Sequence, residues 1–113
     1  MSSSGHPSHI EIGVPDTDRA RKFYGELLGW SYDATPNGAS ADTGGIPAGI
    51  HVDAQGPDVI VFFAVDDIEA AARRIVELGG EVDEAGEDGE TGRYLYACRD
   101  DQGVTFGLHQ PPT

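Results

Sequence analysis

Two segments of this 113-residue chain follow the same pattern, and this repeat restricts the possible folds more than any other feature. The segment from His9 to Trp30 aligns without a gap on the segment from Ile60 to Glu81. Each segment begins with an extended apolar run, which is followed by an aspartate, a helical pattern and then glycine. An internal repeat of this kind indicates two copies of one supersecondary unit. We therefore expect two similar modules.

The repeated segments predict a strand followed by a helix in each module. Alternating apolar residues, starting with Ile10 and Ile12, have the period of a strand with one buried face. Asp16 and Asp67 suit helix N-caps, and glycines at 29 and at 79–80 suit left-handed helix ends. Apolar residues that share one helix face are predicted to pack in the core: Ala20, Phe23, Tyr24 and Leu27 in the first helix, and Ala71, Ile75 and Leu78 in the second.

Short strands and turn-rich loops fill the rest of each module. Strands are predicted at 30–33 and 81–84, and the loops carry PNG from Pro36 and GEDGETG from Gly86. The closing strands also match, as GIPAGIHV from Gly45 and GVTFGLHQ from Gly103. The predicted fold class is α+β, built from two tandem βαβββ modules at about 8–53 and 59–111. The whole chain, 1–113, is expected to be a single domain.

The charge of the chain excludes some classes of partner. The formal net charge is −13, so nucleic acid and anionic membrane surfaces are poor partners. No apolar run reaches the roughly 18 residues of a membrane span, and residues 1–7 lack the pattern of a signal peptide and are expected to be a floppy start. A single cysteine, Cys98, excludes an internal disulfide and multi-cysteine metal sites. We expect a cytoplasmic protein in which Cys98 is a packed strand residue.

Three stretches together carry a resemblance to a known family. They are HIEIGVPD with FYGELLGW, VFFAVDDIEAAARRIVELGGEV, and GRYLYACRDDQGVTFGLHQP. The chain resembles the vicinal oxygen chelate superfamily, which includes glyoxalase I, bleomycin-resistance proteins, fosfomycin-resistance enzymes and extradiol dioxygenases. The resemblance implies that the two modules form a half-open barrel with a concave ligand cup. It also implies a homodimer, because relatives of this size commonly associate through sheet edges and helices.

The family's metal site is largely lost from this chain. Metal-dependent members place His or Glu at four positions, which correspond here to His9, Gly49, Ile60 and Gly107. Only His9 can ligate a metal, so we expect no metal cofactor. The alternative is a divalent ion held by a shifted set, with His9, His51 and His109 as weak candidates.

Seven residues are the candidate ligand contacts within the implied cup: His9, Glu11, His51, Phe62, Tyr94, Tyr96 and His109. Strand alternation places the histidines, Glu11 and Phe62 on the face away from the helices, and the two tyrosines are expected to join them. Glu11 is the candidate general base, because a carboxylate on an apolar wall would have a raised pKa. The catalytic residues are otherwise unknown.

The leading hypothesis for function is a small-molecule-binding protein of the glyoxalase/bleomycin-resistance class. Aromatic walls with few anchors suit a flat, partly aromatic molecule, whereas phosphate or sugar would need more cations than Arg93 and Arg99 supply. Binding without metal would serve sequestration or self-protection. The first alternative is a lyase, isomerase or dioxygenase that uses a shifted metal or Glu11. The second alternative is an accessory module with a vestigial cup.

Overall fold

The computed structural model describes residues 5–36, 38–53, 57–82, 87–89 and 92–112, with the backbone alone at 87–89 and 97. In this part of the chain each of two helices follows one strand and precedes a run of strands, and the predicted α+β class is confirmed. The elements are β1 (Pro7–Val14), α1 (Thr17–Leu28), β2 (Ser31–Thr35), β3 (Gly38–Asp42), β4 (Ala48–Val52), β5 (Asp58–Ala64), α2 (Ile68–Glu77), β6 (Glu81–Val82), β7 (Glu87–Gly89), β8 (Gly92–Arg99) and β9 (Thr105–Gln110).

The chain divides into two compact units. The N-terminal unit comprises His9–Val59, and the C-terminal unit comprises the chain from Ile60 onward together with the residues up to Ser8. The assignment of 1–113 to a single domain stays a prediction. None of the helices in the described ranges is long and apolar enough to cross a membrane.

In the N-terminal unit, α1 packs on one face of a four-stranded sheet. Strand β1 pairs in parallel with β4, which pairs antiparallel with β3, which in turn pairs antiparallel with β2. Ile12 and Ile50 are buried against Ala20 of α1, and Tyr24 and Trp30 pack around them. The predicted alternation along β1 is therefore confirmed, because Ile10, Ile12 and Val14 all lie with the helix.

In the C-terminal unit, α2 covers a sheet in which β5 pairs in parallel with β9, and β9 and β6 flank β8 antiparallel. The buried core consists of Ile68, Leu95, Cys98 and Leu108. Cys98 has no exposed surface, which confirms the prediction of a packed strand residue.

The segment predicted as a GEDGETG loop is partly strand. Glu87–Gly89 form β7, which pairs antiparallel with the start of β8. The loop prediction is wrong here, because pairing with β8 satisfies backbone groups that the glycine-rich pattern left unassigned. Gly86, Glu90 and Thr91 lie outside the described residues, as does Asn37 of the PNG turn.

A register shift in β8 places two residues that are three positions apart on the same buried face of the strand. Leu95 pairs with Leu108 and Cys98 pairs with Phe106, so three steps along β8 oppose two along β9. A bulge of this kind restores Cys98 to the face that Leu95 occupies. Simple alternation along β8 therefore ends at the bulge.

The predicted helix caps are confirmed. The Asp16 side chain accepts a hydrogen bond from the Arg19 backbone N–H at 3.1 Å. The Asp67 carboxylate accepts from the backbone N–H groups of residues 69 and 70, each at 3.1 Å. Gly29 and Gly79 have φ values of +77° and +93°, the left-handed conformation that ends a helix.

The predicted core stripe of each helix is partly wrong. Phe23, Leu27 and Leu78 are 61%, 65% and 61% exposed. The α1 residues that contact the core are Ala20 and Tyr24, because the small side chain at Ala20 lets the helix approach the sheet on that row. Phe23 and Leu27 lie on the adjacent row, which faces solvent. Helical periodicity shows that two rows are apolar but not which row meets the sheet.

The expected floppy start is wrong from Gly5 onward. The Gly5 N–H donates to the Ala64 carbonyl at 2.6 Å, and the Ala64 N–H donates to the His6 carbonyl at 2.8 Å. Pro7 and Ser8 begin β1. This end of the chain is held by backbone pairing, which composition does not reveal. Residues 1–4 lie outside the described ranges.

Asp100 holds the turn between β8 and β9. Its Oδ1 accepts backbone N–H bonds from Val104 at 2.9 Å and from Gln102 at 2.8 Å. These bonds hold the pKa of the Asp100 carboxyl below its ordinary value. The lowered pKa means that Asp100 stabilises the fold above the unfolded-state pKa, and that this contribution is lost as pH falls through the folded-state value.

We expect Asp100→Asn to be less stable than the parent at neutral pH, with the difference shrinking as pH falls. Urea unfolding of both proteins at about pH 6 and about pH 3 measures this difference. The neighbouring exposed residue provides the control, since Asp101→Asn removes the same charge outside these hydrogen bonds. A gap between parent and Asp100→Asn that is equally large at the acidic pH would contradict the assignment.

Candidate functional site

The predicted site residues fall into two groups, one in each unit. His9, Glu11 and His51 lie in the N-terminal unit and form what we call the histidine–glutamate cluster. Phe62, Tyr94, Tyr96 and His109 lie in the C-terminal unit and form what we call the aromatic cluster. Both groups stand on sheet faces opposite the helix-covered cores.

In the histidine–glutamate cluster, one carboxylate bridges two imidazole rings. His9 and Glu11 are two residues apart on β1, so they share a face, and His51 comes from the parallel neighbour β4. Glu11 Oε1 lies 2.9 Å from His9 Nε2, and Glu11 Oε2 lies 2.6 Å from His51 Nδ1. The glutamate side chain is the most buried of the three, at 14% exposed, and His51 is the most open, at 35%.

The expectation of a raised Glu11 pKa is wrong. Burial by itself raises the pKa of this carboxyl, but hydrogen bonds from His9 and His51, together with their charge, outweigh burial and lower it. Each carboxylate oxygen of Glu11 therefore has an imidazole nitrogen as its partner. Glu11 is a carboxylate with both oxygens engaged, which makes it a weak general base and a good orienting group for the histidines.

Glu11 also takes up the space at one of the family's metal positions. Its partner in the β1–β4 register is Gly49. A Cβ built on Gly49 would lie 2.4 Å from Glu11 Oε1, so a side chain there and the observed Glu11 rotamer are incompatible. The glycine at 49 is thus the residue that makes room for the bridging carboxylate.

The aromatic cluster is centred on a fully buried ring. Phe62 has no exposed surface, and the rings of Tyr94 and Tyr96 meet it edge-on with centroids 5.7 and 5.1 Å away. His109 stacks on Tyr94 with centroids 4.5 Å apart and an interplanar angle of 5°. Ring pairs at these distances are favourable beyond the area they bury. The tyrosines are half-buried and form the outer layer over Phe62.

Phe62 occupies the place of the lost donor at Gly107, its register partner on β9. A Cβ on Gly107 would lie 2.4 Å from ring carbons Cδ2 and Cε2 of Phe62. In both units, therefore, a glycine at a family metal position accommodates the side chain of its register partner on the adjacent strand.

The residues at the family's four metal positions do not fit a divalent ion. Gly49 and Gly107 have no donor and their space is filled, and Ile60 is apolar. His9 directs Nε2 at Glu11. Among the side chains that the structure describes, no group of three or more His, Cys, Asp or Glu is arranged to hold a metal ion. We therefore derive no metal-dependent step from these residues.

Sequence reasoning missed three residues around these clusters. Ser8 Oγ lies 3.0 Å from His109 Nδ1, a contact between residues 101 positions apart. Asp58 and Asp53 lie over Gly13, where a Cβ would meet Asp58 Oδ1 at 2.7 Å and Asp53 Oδ2 at 3.0 Å. No local pattern marks any of the three, because each contact depends on strand pairing.

Comparisons with known proteins agree with this architecture. The family model of the Glyoxalase/Bleomycin resistance protein/Dioxygenase superfamily matches residues 6–108. A curated relative named "Putative glyoxylase CFP32" from Mycobacterium bovis is 32% identical over 121 residues, which cover 94% of this chain and 46% of the relative. The chain thus spans about half the length of the curated relatives that it matches.

Two solved structures share the fold. Methylmalonyl-CoA epimerase from Mycobacterium tuberculosis has a TM-score of 0.67 at 23% identity, covering 100% of this chain and 93% of that one. The hypothetical protein BH1468 from Bacillus halodurans has a TM-score of 0.77 at 14% identity, covering 98% and 97%. At these identities the likeness concerns the fold alone. With the family match over nearly its whole length, the chain belongs to the glyoxalase/bleomycin resistance protein/dioxygenase superfamily.

Proposed function

We propose that this chain binds a small, flat, partly aromatic organic molecule and does so without a divalent metal ion. The observation that carries the proposal is the pair of filled metal positions. Glu11 lies over Gly49 and Phe62 lies over Gly107, so the chain has polar and aromatic side chains where metal-dependent relatives have ligands. Sequestration or self-protection is the role that suits such a binder.

The aromatic cluster supplies the stacking surface for this ligand. Tyr94 and Tyr96 are half-buried, with ring centroids 5.9 Å apart, and they rest on a fully buried Phe62. A surface whose rings are already held in place loses little side-chain freedom on binding. Phe62 supports the tyrosines and has no surface left for direct contact, so Tyr94 and Tyr96, with His109 at their edge, are the proposed contacts.

Charge supports a neutral or cationic ligand over a phosphate-bearing one. The net charge is −13, and the two arginines of β8 are already paired: Arg93 with Glu69 at 3.0 Å and Arg99 with Glu81 at 3.2 Å. An anion would have to displace those carboxylates and approach a negative protein. Methylmalonyl-CoA, which is bound in the structure of one methylmalonyl-CoA epimerase with this fold, is therefore a poor candidate for this chain.

A proton-transfer enzyme is the second candidate function. The contact that favours it is the 2.6 Å hydrogen bond between Glu11 and His51, because a carboxylate behind an imidazole is a common arrangement for acid–base chemistry. A homodimer and a cytoplasmic location remain predictions under either function.

The test is a fluorescence titration with three flat probes: neutral 2-naphthol, anionic naphthalene-2-sulfonate and cationic proflavine. We expect 2-naphthol to bind equally with and without EDTA and the sulfonate to bind more weakly. Tyr96→Leu should weaken 2-naphthol binding by about two- to tenfold, the value of one aromatic contact. Phe23→Leu removes an exposed ring elsewhere and serves as the control.

Three results would overturn the proposal. Binding that EDTA abolishes and Zn²⁺, Ni²⁺ or Mn²⁺ restores would favour a metal-dependent enzyme with a shifted ligand set. Equal affinities in Tyr96→Leu and in Phe23→Leu would mean that the ligand does not contact the aromatic cluster. Failure of 2-naphthol and of cationic proflavine to bind at all would favour a vestigial site.

A further inference from the structure

We infer that Glu11 is a positioning residue that holds His51 in its Nδ1–H tautomer, so that Nε2 of His51 accepts a hydrogen bond or a proton from the ligand. The ligand class this site would take is a neutral or cationic molecule with an O–H or N–H donor, such as a phenol or an amine. The inference goes beyond the proposed function, because it concerns the histidine–glutamate cluster of the N-terminal unit by itself and assigns that cluster a ligand of its own.

The direction of both hydrogen bonds follows from the chemistry of the carboxylate. An ionised carboxylate only accepts hydrogen bonds, and Glu11, whose two oxygens each face an imidazole nitrogen, is ionised at neutral pH as glutamate ordinarily is. The nitrogens facing it, His51 Nδ1 at 2.6 Å and His9 Nε2 at 2.9 Å, must therefore carry hydrogen. The two histidines are held in opposite tautomers, and in neutral His51 the remaining lone pair is on Nε2.

The burial of the cluster directs this lone pair outward. The Glu11 side chain is 14% exposed and the His51 side chain 35%, so the carboxylate lies behind the ring and the ring reaches toward solvent. Within the described part of the chain, the ring of His51 makes one hydrogen bond, the one from Nδ1 to Glu11. A buried carboxylate behind an outward imidazole is the arrangement in which Nε2 meets a substrate.

The neighbours of His51 in the sheet select the charge of a ligand. His51 pairs with Gly13 of β1 and with Gly38 of β3. Carboxylate atoms of Asp58 and Asp53 lie over Gly13. With Glu11 behind the ring, these carboxylates disfavour an anionic ligand and favour a neutral or cationic one.

The same geometry describes a proton transfer without any added reagent. The O–H or N–H bond of the ligand breaks, its electron pair stays on the ligand atom, and the proton bonds to Nε2 of His51. The resulting imidazolium keeps its Nδ1–H bond to the Glu11 carboxylate, which stabilises the positive charge. His51 is then the catalytic residue of the second candidate function, and Glu11 acts through it.

The tautomers can be measured on the protein without a ligand. Two-dimensional ¹⁵N–¹H correlation spectra of the histidine rings, recorded at roughly pH 9, far above the reference pKa of free imidazole, distinguish the two forms. We expect the Nδ1–H form for His51 and the Nε2–H form for His9. Glu11→Gln should change the tautomer of at least one ring, since an amide has one acceptor oxygen. Glu69→Gln, which alters a carboxylate paired with Arg93, is the matched control.

A ligand pair tests the acceptor role itself. Phenol carries an O–H donor, and anisole has the same ring without it; each is small enough to contact the histidine–glutamate cluster alone. We expect the parent to prefer phenol by about two- to tenfold, the value of one hydrogen bond, and His51→Leu and Glu11→Gln to lose that preference. His51→Leu should keep its affinity for anisole.

The outcomes separate this inference from the proposed function. His51 in the Nε2–H form in the parent protein overturns the inference even if phenol binds. A preference for phenol over anisole that survives in His51→Leu also overturns it. If neither 2-naphthol nor proflavine binds in the fluorescence titration, the proposed function fails, and the tautomer spectra still decide whether Glu11 positions His51.

Discussion

Replacing Phe62 with alanine is expected to lower the free energy of unfolding by about 3–5 kcal/mol, a large share of the stability of a small protein. Phe62 has no exposed surface, and its ring supports Tyr94 and Tyr96 at centroid distances of 5.7 and 5.1 Å. Its removal leaves a cavity that glycine at 107 cannot fill. Both tyrosines lose their packing, so ligand binding should fall with stability.

Urea unfolding followed by far-ultraviolet circular dichroism measures this effect. The control is Phe23→Ala, which truncates the same residue type at a position that is 61% exposed. We expect the control to cost less than about 1 kcal/mol, as surface substitutions do. Equal losses in the two variants would show that Phe62 is not the centre of the aromatic cluster.

Restoring a family metal donor by Gly107→Glu is the second change with a large expected effect. A Cβ at this position would lie 2.4 Å from two carbons of the Phe62 ring, closer than real Cβ contacts allow. Overpacking of this kind costs about 1–3 kcal/mol, and a carboxylate without a partner in a buried place adds to it. We expect a loss of about 3 kcal/mol or more and no gain in affinity for Zn²⁺.

Gly45→Glu is the control for Gly107→Glu, because no atom lies within 4 Å of a Cβ built there. Calorimetric titration with Zn²⁺ and urea unfolding are compared for the two variants. A double variant isolates the clash: Gly107→Ala should be less damaging in a Phe62→Ala background than in the parent, since the ring it meets is gone. A stable Gly107→Glu protein that binds Zn²⁺ would contradict the packing argument and revive the metal-dependent alternative.

The fold was largely predictable because its signals are local. The caps at Asp16 and Asp67 and the left-handed glycines at 29 and 79 lie within a few residues of the helix ends they define. Alternation along β1 correctly assigned which side chains meet α1. Phe23 shows the limit of such reasoning, because the rotation of a helix about its axis depends on what it packs against.

The sequence predicted which strand faces carry the candidate residues, but it did not predict the contacts among those residues or the pKa of Glu11. The expectation of a raised pKa at Glu11 rested on apolar neighbours, whereas His51, 40 positions away on a paired strand, lies 2.6 Å from its carboxylate and helps to lower that pKa. Phe62 was expected to contact a ligand and is instead fully buried under Tyr94 and Tyr96. Each difference comes from contacts between residues distant in the chain.

The sequence by itself determined the duplicated α+β plan, the helix ends, the faces of β1 and the absence of donor side chains at Gly49, Ile60 and Gly107. Tertiary structure alone decided that Glu11 bridges two histidines, that Phe62 fills the space over Gly107, and that a bulge in β8 returns Cys98 to the core. The physical reason is the range of the forces involved. Caps and periodicity act over one or two turns of chain, whereas strand register and side-chain packing bring distant residues together, and those contacts set burial, hydrogen bonds and pKa.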